Sequence, residues 1–235
     1  MIFGDLIKRS FHIKFKDRSS AGIVLGNILS SALKKEKESG NITVLAIPRG
    51  GVIVADAIAS KFTNSELDIV VPRKLGAPNN PELAMGAVMQ DRTTYLNDNV
   101  MRSLQISNDY LNAEVDRQIG ELRRRMSLYR PVSRPYNISS RSVVVVDDGI
   151  ATGATVMVVI RWVKSFGPRR IVVAVPVAPE DTIAELSREG VEIQVITKPS
   201  SFASVGQFYE NFGQVSDEEV TQIAKKWGLF NSTPK

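Results

Sequence analysis

Cysteine is absent from all 235 residues, and histidine occurs once, at position 12. The first absence removes disulfides, thiol nucleophiles and thiolate metal sites together. A lone imidazole without neighbouring ligands makes no zinc site, so His12 reads as a surface or hood residue rather than a catalytic one. No apolar run reaches the roughly eighteen residues needed to cross a bilayer. The N-terminal stretch MIFGDLIKRSFHIKF has neither a hydrophobic signal core nor a small-residue cleavage site. These absences together predict a cytoplasmic protein. Aromatics are 7% of the chain, and they form neither a nucleic-acid motif nor a stacking series.

Apolar residues make up 43% and charged residues 23%, ordinary values for a globular protein. The length suits one α/β domain over residues 1–235, with a core of about 41–196 and terminal segments completing the core or a small hood. The net charge of +5 is unevenly placed: residues 117–141 hold seven arginines against one acid, Glu121. That stretch is read either as a solvated helix face and linker or as an electrostatic guide for a phosphorylated substrate. Nucleic acid is the least supported partner.

Periodicity predicts the elements. Arg18–Lys34 is a helix capped by Asp17 or Ser19, with Ala21, Leu25, Ile28, Leu29 and Ala32 on its apolar face. Strands are expected at NITVLAI (41–47), LDIVV (67–71), Ser142–Val146, RIVVAVPV (170–177) and 191–196. Helices follow at VIVADAIAS, Gly153–Ser165 and about Glu180–Glu189. The stretch RKLGAPNNPELAMGAV is expected to be a long loop with a returning strand near Met85–Met89, because Gly76, Pro78, Asn79, Asn80 and Pro81 argue against regular structure. Ser107–Tyr129 is a long helix striped by Leu111, Val115, Ile119, Leu122 and Met126. Lys198–Gly213 is irregular and aromatic-rich, and Asp217–Trp227 closes the chain as a helix. Alternating strands and helices, with nearly continuous apolar strands, predict an α/β fold with a mainly parallel sheet covered on both faces.

The segment VVVVDDGIATGAT (143–155) concentrates the chemistry. A β-branched strand delivers Asp147 and Asp148 to its C-terminal end, where open α/β sheets bind ligands. Two adjacent carboxylates suit the cis-diol of a ribose. The small residues Ala151, Thr152, Gly153, Ala154 and Thr155 open a helix whose free N–H groups suit a phosphate. The competing readings are a helix cap after an Asp-rich turn and an acidic magnesium site without ribose.

This segment resembles the phosphoribosyl-diphosphate motif of type I phosphoribosyltransferases, with Gly149 where a branched apolar residue is usual. Similarity to a bacterial and archaeal subgroup of that family extends over PRGG, RKLGAPNNPELAMGAV and FASVGQFYENFGQVSDEEV, nearly the whole chain. The resemblance implies the type I fold and a pyrophosphate loop at Pro48–Gly51. There Arg49, Gly50 and Gly51 touch the diphosphate, and a non-proline cis peptide is common. It implies a flexible catalytic loop at RKLGAPNN, with Arg73 and Lys74 as the cations nearest the leaving group. It implies Mg²⁺ held mostly by substrate oxygens and water, with Asp148 reaching it through a water, and a role in nucleotide metabolism.

The implied substrates are 5-phosphoribosyl 1-diphosphate and a small nitrogenous base. Transferases for 6-oxopurines resemble one another in an acid at the position of Ala151, so this chain argues against that acceptor. Lys198, Phe202 and Phe208 are candidates for the base site, with Tyr209 beside them. The same aromatics can instead seal the tail against the core. A regulatory sensor that binds the sugar diphosphate or a nucleotide without turnover is the alternative function. Family members are often dimers, and the 107–129 helix offers either a homodimer interface or an internal contact.

Overall fold

The computed structural model describes residues 14–34, 40–132 and 134–230; His12 lies outside them. Five parallel strands lie in the order β2 (Glu66–Ile69), β1 (Ile42–Ala46), β6 (Ser142–Val146), β7 (Arg170–Val177) and β8 (Glu192–Thr197). Strand alternation sends Val44, Ala46, Val144, Val146, Val172 and Ala174 to one core, and Leu45, Val143, Val145, Val173 and Val175 to the other. Helices α1 (Arg18–Ala32), α2 (Gly50–Ala59) and α7 (Asp217–Lys226) cover the first face. Helices α5 (Ala154–Lys164) and α6 (Glu180–Ser187) cover the second. This is the parallel, doubly covered α/β sheet expected from the sequence.

The strand order decides where a ligand can sit. The chain leaves β1 toward β2 on one side and leaves β6 toward β7 on the other. A crevice therefore opens between the C-terminal ends of β1 and β6.

The RKLGAPNN stretch corrects one expectation. It is not a loop but a hairpin of β3 (Arg73–Ala77) and β4 (Asn80–Val88), extended by β5 (Thr94–Leu96). Asn79 takes the turn at φ 60°, and the register shifts around Gly76 absorb Pro81. A Cβ on Gly76 would stand 2.9 Å from Pro81 Cα, so only glycine lets the two strands approach. Strand β5 and the short α3 (Asp98–Ser103) were not anticipated.

Helix α4 (Asn108–Tyr129), capped by Ser107, packs its stripe inside the same chain. Val115 and Ile119 meet Leu75, Met85 and Val88 of the hairpin, while Leu122 and Met126 meet the sheet core. At the end of α4, Arg130 donates to both oxygens of buried Asp68 on β2, at 2.9 and 3.2 Å. Burial pushes the Asp68 carboxyl upward against the pull of that guanidinium. Removing one partner of such a pair strands a charge. Arg130→Met is expected to cost about 3–5 kcal/mol in urea unfolding, and adding Asp68→Leu should recover most of it.

The start of the described chain meets the aromatic-rich segment after β8. Phe15 N–H donates to Phe208 O at 2.8 Å, and Glu210 N–H donates back to Phe15 O at 2.8 Å. Phe15, Phe208, Tyr209 and Val177 form a separate cluster, with Phe202, Val205 and Phe212 packed against it. Among the described residues no helix is long and apolar enough to cross a membrane.

Candidate active site

The site begins where β1 ends. Ile47 N–H donates to Val146 O at 2.9 Å and extends the ladder one residue beyond the strand. The Pro48–Arg49 peptide is cis, as the family resemblance implied. Gly50 and Gly51 then start α2 directly against β6. A Cβ on Gly51 would lie 2.8 Å from both Asp147 Cα and Val146 O. A Cβ on Gly50 would lie 1.9 Å from Asp148 Oδ2. The two glycines are thus what allows PRGG and the acid pair to touch.

The two acids diverge. Asp148 Oδ2 is bonded by Arg18 Nε at 2.6 Å, and Tyr209 OH donates to Asp148 O at 2.6 Å. Arg18 also donates to Gly213 O at 2.8 Å and lies 3.8 Å over the Phe212 ring. Asp147 Oδ1 accepts from Asp148 N–H at 2.8 Å and faces the cleft. Burial first, then the neighbouring Asp148 charge, holds the Asp147 carboxyl well above the usual range, with Lys74 pulling the other way. A carboxylate so placed is short of positive charge and of hydroxyl donors, both of which a sugar and a cation supply.

Beyond the acids, the chain turns through Ala151 and Thr152, both exposed, to Gly153 at φ 76°. Gly153 is the N-cap of α5 and gives no side-chain bond, so the first-turn N–H groups of that helix have no cap. Thr182 Oγ1 donates to Ala151 O at 2.8 Å and Ile150 N–H to Val177 O at 2.9 Å, pinning both sides of the turn. The departure at Gly149 has a packing reason. A Cβ there would stand 2.5 Å from Val205 Cγ1 and 2.9 Å from Val177 Cγ1, so Val205 occupies the room of the usual branched side chain.

One cleft of about 540 Å³ is lined by Pro48, Asp147, Ala151, Thr152, Gly153 and Thr155, and across from these by Arg73 and Lys74. Glu114, Arg117, Gln118 and Arg125 of α4 complete the wall. Gly50, Gly51 and Asp148 are not among the lining residues, and Ala154 is the buried first residue of α5. Arg49 turns away: its guanidinium lies 3.7 Å from Asp217 on α7. Lys198 is exposed and does not line the cleft. Phe208, 1% exposed, stacks on Phe202 with 5.7 Å between ring centres. No aromatic side chain lines the cleft among the described residues. Phe202 and Phe208 pack the tail against Phe15 and Val177, as in the packing alternative, and neither lines the cleft.

Sequence reasoning passed over Arg18, whose only local signal is its place after the N-cap Asp17. It also read the arginines of 117–141 as one group. The structure separates them: Arg130 is structural, whereas Arg117 and Arg125 face the cleft.

A divalent ion was implied by the family resemblance. Among the described residues no three carboxylate or imidazole groups converge into a cage. Oxygen donors at Asp147 and Asp148 nevertheless suit a hard cation whose remaining ligands would be substrate oxygens and water.

These features are those of a doubly covered α/β fold with a polar cleft at the C-terminal ends of its strands. The phosphoribosyl transferase domain model matches residues 20–211, and the chain belongs to that family. It is 39% identical over 206 residues to the Mycobacterium tuberculosis proteins MT0597 and Rv0571c, each named as a phosphoribosyl transferase without a stated acceptor. The match covers 88% of this chain and 45% of theirs, so the chain spans a little under half their length. The crystal structure of TT1426 from Thermus thermophilus is similar at 40% identity and a TM-score of 0.75, covering 91% of this chain and 99% of that one.

Proposed function

We propose that the chain transfers a 5-phosphoribosyl group from 5-phosphoribosyl 1-diphosphate to a nitrogenous acceptor and releases pyrophosphate. The observation that carries this reading is the contact of the PRGG turn with the acid pair, of which Asp147 lines a cleft that also holds the uncapped start of α5. In this reading the N–H groups of 151–155 hold the 5′-phosphate, aided by the helix dipole and the Thr152 and Thr155 hydroxyls. Asp147 and Asp148 accept from the ribose hydroxyls and act as anchors rather than as an acid and base. Gly50 and Gly51 bring backbone against the diphosphate. Lys74 stands on the Asp147 side and Arg73 on the α4 side, where each offsets charge that grows on the leaving oxygens. The acceptor nitrogen forms a bond to C1, the bond from C1 to the diphosphate oxygen breaks, and its electron pair leaves with pyrophosphate. The acceptor proton passes to solvent. Asp148 would hold a divalent ion through water, and such an ion would supply charge neutralisation for the leaving group.

The test is a screen of purines, pyrimidines and small nitrogen nucleophiles with the activated sugar and Mg²⁺, read by pyrophosphate release. Release that requires one acceptor class is the expected result. Tight sugar binding without release from any acceptor would replace the transferase with a sensor, and release without any acceptor would replace it with a hydrolase.

A further inference from the structure

The arginine on the hairpin is held in an unusual way. Arg73 is half-buried, and among the described residues no carboxylate is ion-paired with it. Its Nε instead donates to the amide oxygen of Gln118 at 3.0 Å. The Gln118 amide nitrogen donates to Glu114 Oε1 at 2.9 Å. Glu114 Oε1 also accepts from Gly76 N–H at 3.1 Å, and both Glu114 oxygens are bonded by Arg117. Glu114 and Gln118 are each 5% exposed.

The bonds fix the direction of the amide. A carboxylate only accepts, so the Gln118 NH₂ must face Glu114 and its oxygen must face Arg73. The neutral amide satisfies the Arg73 Nε without neutralising it. Burial and the charges of Arg125, Arg117 and Arg124 all press on the Arg73 cation, opposed by Glu121. A half-buried cation among like charges is costly alone and becomes favourable when an anion enters the cleft.

We propose that Gln118, oriented by Glu114, is a positioning residue that holds Arg73 at the cleft as an unpaired cation for the diphosphate of the sugar substrate. The inference rests on the transferase reading of the cleft. Glutamate at 118 would pair with Arg73 and spend its charge inside the protein. Glutamine keeps that charge for the ligand, and the Glu114 bond to Gly76 locks the hairpin to the same helix.

The decisive variant exchanges the two side chains, Glu114→Gln with Gln118→Glu. The total charge is unchanged, and each bond linking Gly76, 114, 118 and Arg73 retains a donor and an acceptor. Arg117, which also lines the cleft, would lose its carboxylate partner, so the exchange is made and compared in an Arg117→Gln background. The negative charge moves onto Arg73. Titration with inorganic pyrophosphate and Mg²⁺ should show about tenfold weaker binding by the exchanged protein at an unchanged melting temperature. Arg73→Gln should show a similar loss, and the exchange should add nothing in that background. Should the exchanged protein not fold, Gln118→Met serves as the second variant: it frees Arg73 without adding charge and should weaken binding only in the presence of Arg73. Undiminished pyrophosphate binding by the exchanged protein, or an equal loss without Arg73, would overturn the positioning role alone. Failure of the wild-type protein to bind pyrophosphate or the activated sugar would overturn the transferase reading and this role with it.

Discussion

Alanine at position 51 is expected to separate the loop after β1 from the acids that end β6. Its Cβ would meet Asp147 Cα and Val146 O at 2.8 Å and Asp147 Oδ1 at 3.1 Å. Val146 ends a strand paired on both sides, by β1 and by β7, and Asp147 follows it directly, so these backbone atoms have little room to yield. Overpacking of this kind costs about 1–3 kcal/mol. Gly50→Ala meets a different obstacle. Its nearest neighbours are the Asp148 carboxylate and Arg18 Nε, at 1.9 and 2.7 Å, both ends of side chains that can rotate. Gly51→Ala should therefore lower the midpoint of urea unfolding and abolish pyrophosphate binding. Gly50→Ala should unfold nearer to wild type yet lose sugar binding, because Asp148 leaves Arg18. Wild-type stability and binding in Gly51→Ala would show that the loop and the strand are not packed as described.

Asp147→Asn is expected to stabilise the free protein and impair it as a binder. The carboxyl is held well above its ordinary 3.8 chiefly by burial, so its ionised form opposes folding. The sign follows from linkage. The folded state holds the proton more firmly than the unfolded state, so stability falls as pH rises from about 3.8 through the raised folded value. Asparagine removes that slope. Sugar affinity runs the other way, rising over the same window as the carboxylate ionises and accepts from a ribose hydroxyl. Loss of a charge-assisted hydrogen bond is worth about 1.5–3 kcal/mol, or about 10- to 100-fold in affinity for the activated sugar. Free pyrophosphate, which has no ribose, should be much less affected. Unfolding curves at several pH values and calorimetric titration would check both halves. A variant that is less stable than wild type and binds the sugar equally would refute them.

Legibility in the sequence followed the range of the interaction. Strands β6 and β7 are rich in β-branched residues, and their predicted limits are the observed ones. Helix α4 announces itself by its stripe and its Ser107 cap. The acid pair and the small-residue turn are contiguous, so their meeting needs only a strand end and a helix start. The hairpin was hidden because its turn residues, Pro78 and Asn79, sit among further breakers that the bulged register absorbs. Arg18 was hidden for a stronger reason: its partner Asp148 lies 130 residues away, and nothing near it in sequence reports that approach. The partners of Arg49 and Phe208 were hidden in the same way. Asp217 of the last helix and Phe15 of the first described segment claim them, and both contacts exist only once the termini have packed.

The proposed ribose anchor is the acid pair at the crevice between β1 and β6. Its most direct test is calorimetric titration of 5-phosphoribosyl 1-diphosphate with Mg²⁺ into the wild-type protein and into the Asp147→Asn/Asp148→Asn variant, with pyrophosphate as the parallel ligand. The account predicts saturable binding of the sugar by wild type, its collapse in the variant, and a far smaller change for pyrophosphate. Equal binding of the sugar by both proteins would contradict it.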